Sequence, residues 1–373
     1  MKKPYIIVRS IVFLLMTFLY VFASNNGFRA CNLDLDKVCF DEELGQYQIE
    51  ENACLTVVVE NAAYGDVISW LWSELHPEAN GITYVLESDI STSDLMYLSQ
   101  NDAAINFDSL YLIDRNIINN VPYLSKELNL TGNTFLPLIG EGFAFITNKT
   151  ELERLIGPWV DENNNNLHDT LESYESIMNN HMNWETDKRK LVLSLNEPFT
   201  LYPFMTSNGW RIYEDYTSYY PGFEKESFLE SLRFIELLSS VNWSQSESNL
   251  ASVYTWDFPN VLYDDSFLFS QVASWMYVEE LNAKHESEWV ISAFPKAFES
   301  SKNELQTMLT RVEGYSINKN STYPSAAHEL LRIIYSIEGL QAKLNHGKGV
   351  LLSSKENLDL LSFRNDTNKQ FSY

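Results

Sequence analysis

The sequence predicts an α/β fold of two lobes, and three observations carry that expectation. Short β-branched apolar runs alternate with stretches whose apolar residues recur every three or four positions, as in strands interleaved with helices. The chain has 373 residues, about two or three domains' worth. Yet no internal repeat and no low-complexity linker divides it. Two lobes joined by more than one crossing reconcile these facts, because the crossings are then strands and not a loop.

The elements follow in order. Leu55–Val59 is a β-branched run and reads as a buried strand. Asp66–Leu75 sets Val67, Ile68, Leu71, Trp72 and Leu75 at helical spacing and stops before Pro77. Ile82–Leu86 again reads as a strand. Ser91, Thr92 and Ser93 are expected to cap a helix through Leu95 and Leu98, with Ala103–Asn106 the next strand and Ser109–Ile118 the next helix. Farther on, strands are expected at Gly142–Thr147, Leu191–Leu195, Phe267–Val272 and Trp289–Phe294. Long helices fit Glu226–Val241, carrying Leu229, Leu232, Phe234, Ile235 and Leu238, and Ser325–Ile337, entered through Pro324. Such alternation implies parallel sheets covered on both faces, whose ligands bind beyond the carboxyl ends of strands.

The N-terminus points out of the cytoplasm. Lys2, Lys3 and Arg9 precede the apolar run Ile11–Phe22, which Ala23 and Ser24 close; residues 1–24 thus read as an export signal. The run is shorter than the ~20 apolar residues of a membrane-spanning helix. Lipidation of Cys31 would leave Cys39 and Cys54 to pair with each other. Cleavage after Ala23, or an uncleaved anchor, fits the same residues, because Arg29 stands where a lipidation motif has a small uncharged residue. Residues 25–54, polar and acidic, read as a tether.

Charge excludes some functions. Asp and Glu number 51 against 26 Lys and Arg, a net charge of −25. Nucleic-acid binding is therefore not expected, since phosphate affinity needs clustered Lys and Arg. Phosphate-loop, nucleophile-elbow and HExxH signatures are absent, and the six histidines lack metal-ligand spacing. No enzyme is expected. Aromatic residues make up 14% of the chain, enough to fill a core and still leave rings for stacking on a ligand.

One polar segment has the ligand spacing of an EF-hand loop. Asp161, Asn163, Asn165, Asp169 and Glu172 fall at positions 1, 3, 5, 9 and 12, with the Leu167 carbonyl at 7. Asn166 stands at position 6, where a positive φ is needed and Asn is the best choice after Gly. His168 replaces the usual apolar residue at position 8. A structural Ca2+ ion is expected here.

Several short motifs lie in the same order as in a known family. Pro137–Lys149 (PLIGEGFAFITNK), Ser173–Ile177 (SYESI), Leu195–Pro203 (LNEPFTLYP), Val272–Trp275 (VASW), Ala293–Lys296 (AFPK) and Glu338–Ala342 (EGLQA) are these segments. Together, from Leu136 to Ser354, they resemble extracellular solute-binding proteins of sugar ABC importers, especially the maltose- and maltodextrin-binding type. The resemblance implies a periplasmic-binding-protein-like fold. One lobe would comprise residues 55–139 and 314–352, the other 140–313, with a C-terminal tail at 353–373. It also implies a monomer that captures a carbohydrate between the lobes and delivers it to a membrane permease. By the same resemblance, Phe107, Asp108, Glu141, Glu197, Phe199, Tyr202 and Trp275 would contact the ligand, the rings on sugar faces and the carboxylates on hydroxyls. The chain departs from the family after its first strand, where Asn61, Ala62 and Ala63 replace an Asp-Lys pair. It also ends soon after Ser354. These departures leave room for a transport-inactive surface protein of the same fold, in a scaffolding or adhesive role.

Overall fold

The computed structural model describes residues 37–86, 92–120, 133–180, 183–194, 198–206, 208–212, 221–240, 250–252, 267–274, 286–301, 305–306, 310–347, 349–352 and 359–361. Strands β1 (Phe40–Asp41) and β2 (Gln46–Tyr47) form a hairpin. There follow β3 (Thr56–Val58), α1 (Ala62–Leu75), β4 (Thr83–Val85), β5 (Leu95–Ser99), α2 (Gln100–Ile105) and α3 (Arg115–Asn120). The long strand β6 (Leu136–Asn148) leads into α4 (Lys149–Ile156), α5 (Tyr174–Asn180), β7 (Arg189–Leu193), α6 (Pro198–Met205) and α7 (Glu226–Ser240). Then come β8 (Leu250–Ser252), β9 (Phe267–Ala273), β10 (Trp289–Ser292), β11 (Phe294–Pro295) and β12 (Leu305–Gln306). The last elements are β13 (Thr310–Ile317), α8 (Pro324–Ile334), α9 (Ile337–His346) and β14 (Val350–Leu351).

Among the described residues, ten strands share one sheet, in the order β4-β3-β5-β13-β6-β9-β7-β8, with β10 and β14 also paired to β6. The sheet is mixed, where the sequence implied parallel sheets. β3 runs parallel to β4 and β5, and β7 parallel to β8 and β9, but β13 and β6 run antiparallel to their neighbours. The difference has a physical cause: β6 and β13 connect two α/β units, so they cannot follow the direction that crossover helices impose within each unit.

Strand β6 joins two separate hydrophobic cores. Its first part contributes Leu136, Leu138 and Ile139 to a core with Val57, Ile68, Trp72, Tyr315 and Leu330. Its second part contributes Phe143 and Phe145 to a core with Tyr174, Leu191, Phe204, Phe234 and Phe269. The partners change accordingly, from β13 and β14 up to residue 142 to β9 and β10 after it. Beside Pro137 the register shifts between Glu313 and Gly314. A bulge suits Pro137, which has no N–H for a regular ladder. A Cβ on Gly314 would lie 1.9 Å from the Leu136 carbonyl oxygen, so only glycine permits this approach.

Two local expectations are reversed. Leu95–Ser99 is a strand and Gln100–Ile105 a helix, where the sequence reading had a helix and then a strand. Leu95 and Leu98 are three apart, which suits a helix, but both are buried in the strand that β13 covers. The capping serine is Ser99, whose Oγ accepts the Asp102 N–H, and not one of residues 91–93.

The expected tether is also folded over its described part, residues 37–54. Tyr47 and Ala53 are buried in the first core. Glu50 accepts the N–H groups of Ser325 and Ala326, an anion at the start of α8. Cys39 is disulfide-bonded, with its partner outside the described residues, whereas Cys54 is a free, exposed thiol. The Cys39–Cys54 pairing is therefore not made.

A buried ion cluster ties the N-terminal segment down. Glu329 is fully buried and accepts two bonds from Arg332 (2.8 and 2.5 Å) and one from the Tyr47 N–H (2.8 Å), with His76 Nε2 at 2.9 Å. Burial pushes the Glu329 carboxyl upward, but the bonds from Arg332, His76 and Tyr47 outweigh it and hold the group below 4.5. Its contribution to stability is thus present above pH ~4.5 and lost as pH falls through the lowered value. Arg332→Met leaves a buried charge short of its counter-ion. It is expected to cost about 3–5 kcal/mol, read as a lower urea midpoint at neutral pH, with the gap to wild type narrowing in acid.

Candidate functional site

A cavity of about 410 Å³ opens where β3 and β5 end and β13 begins. Its walls include Val58, Glu60, Tyr97, Asp102, Arg311 and Glu313. This is the position at which open α/β sheets bind ligands, beyond the carboxyl ends of parallel strands.

The charges are arranged as a belt across four strands. At its inner end, the buried Lys343 on α9 bonds to the Glu60 carboxylate just past β3. Its ammonium also lies 5.2 Å from the Tyr64 ring centre and 5.0 Å from that of Tyr97. Burial pushes the Lys343 ammonium down, against the upward pull of Glu60. Tyr97 donates its hydroxyl to Glu313 (2.9 Å), and Arg311 bonds to the same carboxylate at 2.7 Å. Arg311 stands directly across from Glu141 in the β13–β6 pairing. Residues opposite one another in an antiparallel pair share a face, so Glu141 belongs to the same charged surface. Burial and then Glu313 raise the Glu141 carboxyl above 4.5, more than Arg311 and Lys343 lower it.

Of the residues predicted to contact a ligand, Glu141 is brought to this belt. Phe199 is partly exposed on α6, and its ring packs edge-on to Phe143, two residues along β6 from Glu141. Phe107 is 46% exposed, beyond the cavity wall that Asn106 helps form. The Asp108 backbone carbonyl accepts a bond from Lys319 Nζ. Tyr202 is buried, packs on Trp210, and its hydroxyl oxygen accepts the Ile212 N–H, so it is a packing residue. Glu197 and Trp275 lie outside the described residues. Ser274, just before Trp275, exchanges two bonds with Gly142.

Sequence reasoning missed Glu60, Tyr97, Arg311 and Lys343. One signal was present: Lys343 interrupts the apolar face of α9, where a lysine needs a buried partner. Asn61 explains part of the departure after β3. Its Oδ1 accepts the Tyr64 N–H to cap α1, and its Nδ2 donates to the His346 carbonyl.

The EF-hand-like loop is ordered by its own side chains. Asp161 accepts the N–H groups of Asn165 and Asn166, while Glu172 Oε1 accepts the Asn163 and Asn165 amides at 2.5 and 3.1 Å. Asp169 accepts the Glu162 N–H. Asn166 has φ 63°, the left-handed turn that position 6 requires. His168 is buried against Trp159 at 5.7 Å, so its ring fills the apolar place of position 8. Leu167 and Leu171 root the loop in the second core. Among the described residues, no group of three or more His, Cys, Asp or Glu side chains is placed to hold a metal ion.

Comparison with known proteins supports the fold. No family model matches the chain, and neither does any curated protein. Among solved structures, it is similar to a Thermus thermophilus maltotriose-binding protein bound with maltotriose. The identity is 14%, 85% of this chain and 86% of that one are covered, and the TM-score is 0.55. The chain thus has a periplasmic-binding-protein-like α/β fold. Among the described residues, no helix is long and apolar enough to cross a membrane.

Because the folded state favours protonated Glu141, ionisation of this group costs stability as pH rises above 4.5. Glu141→Gln is therefore expected to melt higher than wild type near pH 7. The difference should vanish in acid well below pH 4.5, as measured by calorimetry across pH.

Proposed function

We propose that the chain is an extracytoplasmic solute-binding protein that captures a carbohydrate or related solute and hands it to the permease of an ABC importer. The observation that carries this reading is the charged cavity at the strand ends, flanked by the two strands that link separate cores. Sugars present hydroxyls and flat C–H faces, so carboxylates with nearby rings suit them. Glu141 would accept hydroxyls, and Glu197, Phe199 and Trp275 would supply the further contacts to the solute. Bending of β6 and β13 would close the cleft, driven by contacts the solute makes only in the closed form. No covalent chemistry is involved, and the protein acts as an exported monomer. The expected result is a saturable change in intrinsic Trp fluorescence with one or more sugars, lost in Trp275→Ala. No response to any solute overturns the reading.

Asn61 favours a second reading. With both ends of its side chain engaged in capping and in bonding His346, the position after β3 has a structural role. A surface protein that kept the fold without transport would look the same there.

The loop at 161–172 would bind Ca2+ as a structural clamp on the second unit. Asp161, Asn163, Asn165, Asp169 and Glu172 would supply side-chain oxygens and Leu167 its carbonyl, the amides turning their oxygens inward. Calorimetric titration of chelator-treated protein should show one calcium per chain, weakened in Glu172→Gln. An absence of heat overturns the clamp.

A further inference from the structure

A buried amide on β9 holds the start of helix α6, and what it does there bears on the solute-binding reading above, on which this inference rests. Strand β9 is buried throughout, and Gln271 lies between Phe269 and Ala273, both members of the second core. Its Oε1 accepts two bonds, one from the Ser194 N–H at 3.1 Å and one from the Thr200 hydroxyl at 2.8 Å. All three residues are fully buried. The Ser194 N–H fixes the orientation of the amide, because only its oxygen can accept. Among the described residues, Nε2 then finds no acceptor. A buried donor left unmet is costly, and an apolar side chain of the same length would avoid it. Core packing does not account for an amide here, whereas the two bonds to its oxygen do.

Those bonds tie down both ends of the connection from β7 to α6. Ser194 follows the last residue of β7, and Thr200 stands in the first turn of α6, directly after Phe199. Because β7 runs parallel to β9, the connection lies at the carboxyl ends of parallel strands, the side on which such sheets bind ligands. Phe199 is 36% exposed, and its ring meets Phe143 edge-on at 6.3 Å. Phe143 in turn pairs across from Ala273, on the strand that carries Gln271. We propose that Gln271 is a positioning residue for solute binding: by holding Ser194 and Thr200 it fixes the start of α6 against the sheet, and so presents the Phe199 ring to a sugar face.

Affinity and melting temperature, measured together on the same variants, test the proposal. Gln271→Met keeps the length and removes the acceptor, and Thr200→Val removes one donor with little change of shape. The probe is whichever of glucose, lactose, cellotriose and maltotriose binds wild type most tightly in titration calorimetry. Gln271→Met should bind it about tenfold more weakly, roughly the worth of one hydrogen bond, and Thr200→Val should shift in the same direction. Gln271→Glu keeps an oxygen for both donors and should recover affinity, even where its buried charge lowers the melting temperature. In a Phe199→Ala background, Gln271→Met should add less than about a twofold loss, because the ring it positions is gone. Should Gln271→Met fail to fold by circular dichroism, Thr200→Val in both backgrounds decides the matter. A lowered melting temperature with unchanged affinity, or losses that simply multiply with that of Phe199→Ala, overturns the positioning role and leaves the solute-binding reading intact. If wild type binds none of the four sugars, the assignment of Phe199 as a sugar contact falls and the positioning role with it. The solute-binding reading falls only when no other solute gives a fluorescence response.

Discussion

One strand sets the terms for the rest of the molecule. At about 3.3 Å per residue, the thirteen residues of β6 span roughly 40 Å. That is too long for one small core, and β6 belongs to two. Its sides must satisfy one set of apolar neighbours before Gly140 and another after Gly142. The stretch between those glycines falls between the two cores, and a polar residue can sit there. Glu141 occupies it, half-buried, and a carboxylate is tolerated there because neither core claims the position. The bulge at Gly314 serves the same join, letting β13 track β6 past Pro137.

Charge is handled differently at the two ends of the first core. Glu329, fully buried, is surrounded by Arg332, His76 and a backbone N–H until its negative charge is met. That is the arrangement of a structural ion cluster, in which a missing partner is expensive. At the strand ends, Lys343 and Glu60 likewise neutralise each other beneath two tyrosine rings. Nearer the opening, Glu313 and Glu141 share Arg311, which bonds to the first and stands across the strand pair from the second. Folding stability explains the first two groups; in the third, burial of Glu141 and the nearby Glu313 raise its carboxyl, which costs stability at neutral pH.

The N-terminal segment and the 161–172 loop show how small attachments are held on such a fold. Glu50 caps α8, Tyr47 donates to Glu329, and Cys39 donates its N–H to Ser325, so residues far apart in sequence fix the hairpin. The loop instead holds itself, through Asx-type bonds from Asp161, Asn163 and Asn165 to nearby backbone. It is anchored to the rest of the fold by Leu167, Leu171, the buried ring of His168 and a bond from the Lys296 N–H to the Glu172 carbonyl. Local chemistry is sufficient for the loop but not for the hairpin.

That contrast marks what the sequence by itself determined. Helix α1, strands β7 and β9, helices α7 and α8, and the Asn166 turn were legible because periodicity, proline position and asparagine's tolerance of positive φ are local properties. The strand that carries Glu141 was legible through its motif. Leu95–Ser99 was not: its two leucines suit a helix, and only pairing with β13 and β3 makes it a strand. The antiparallel run of β6 and β13, the folded hairpin and the belt from Lys343 to Glu141 were likewise decided by the tertiary structure. Apart from Arg311 and Glu313, their partners lie more than a hundred residues apart, and electrostatic fit at that separation leaves no periodic trace in the chain.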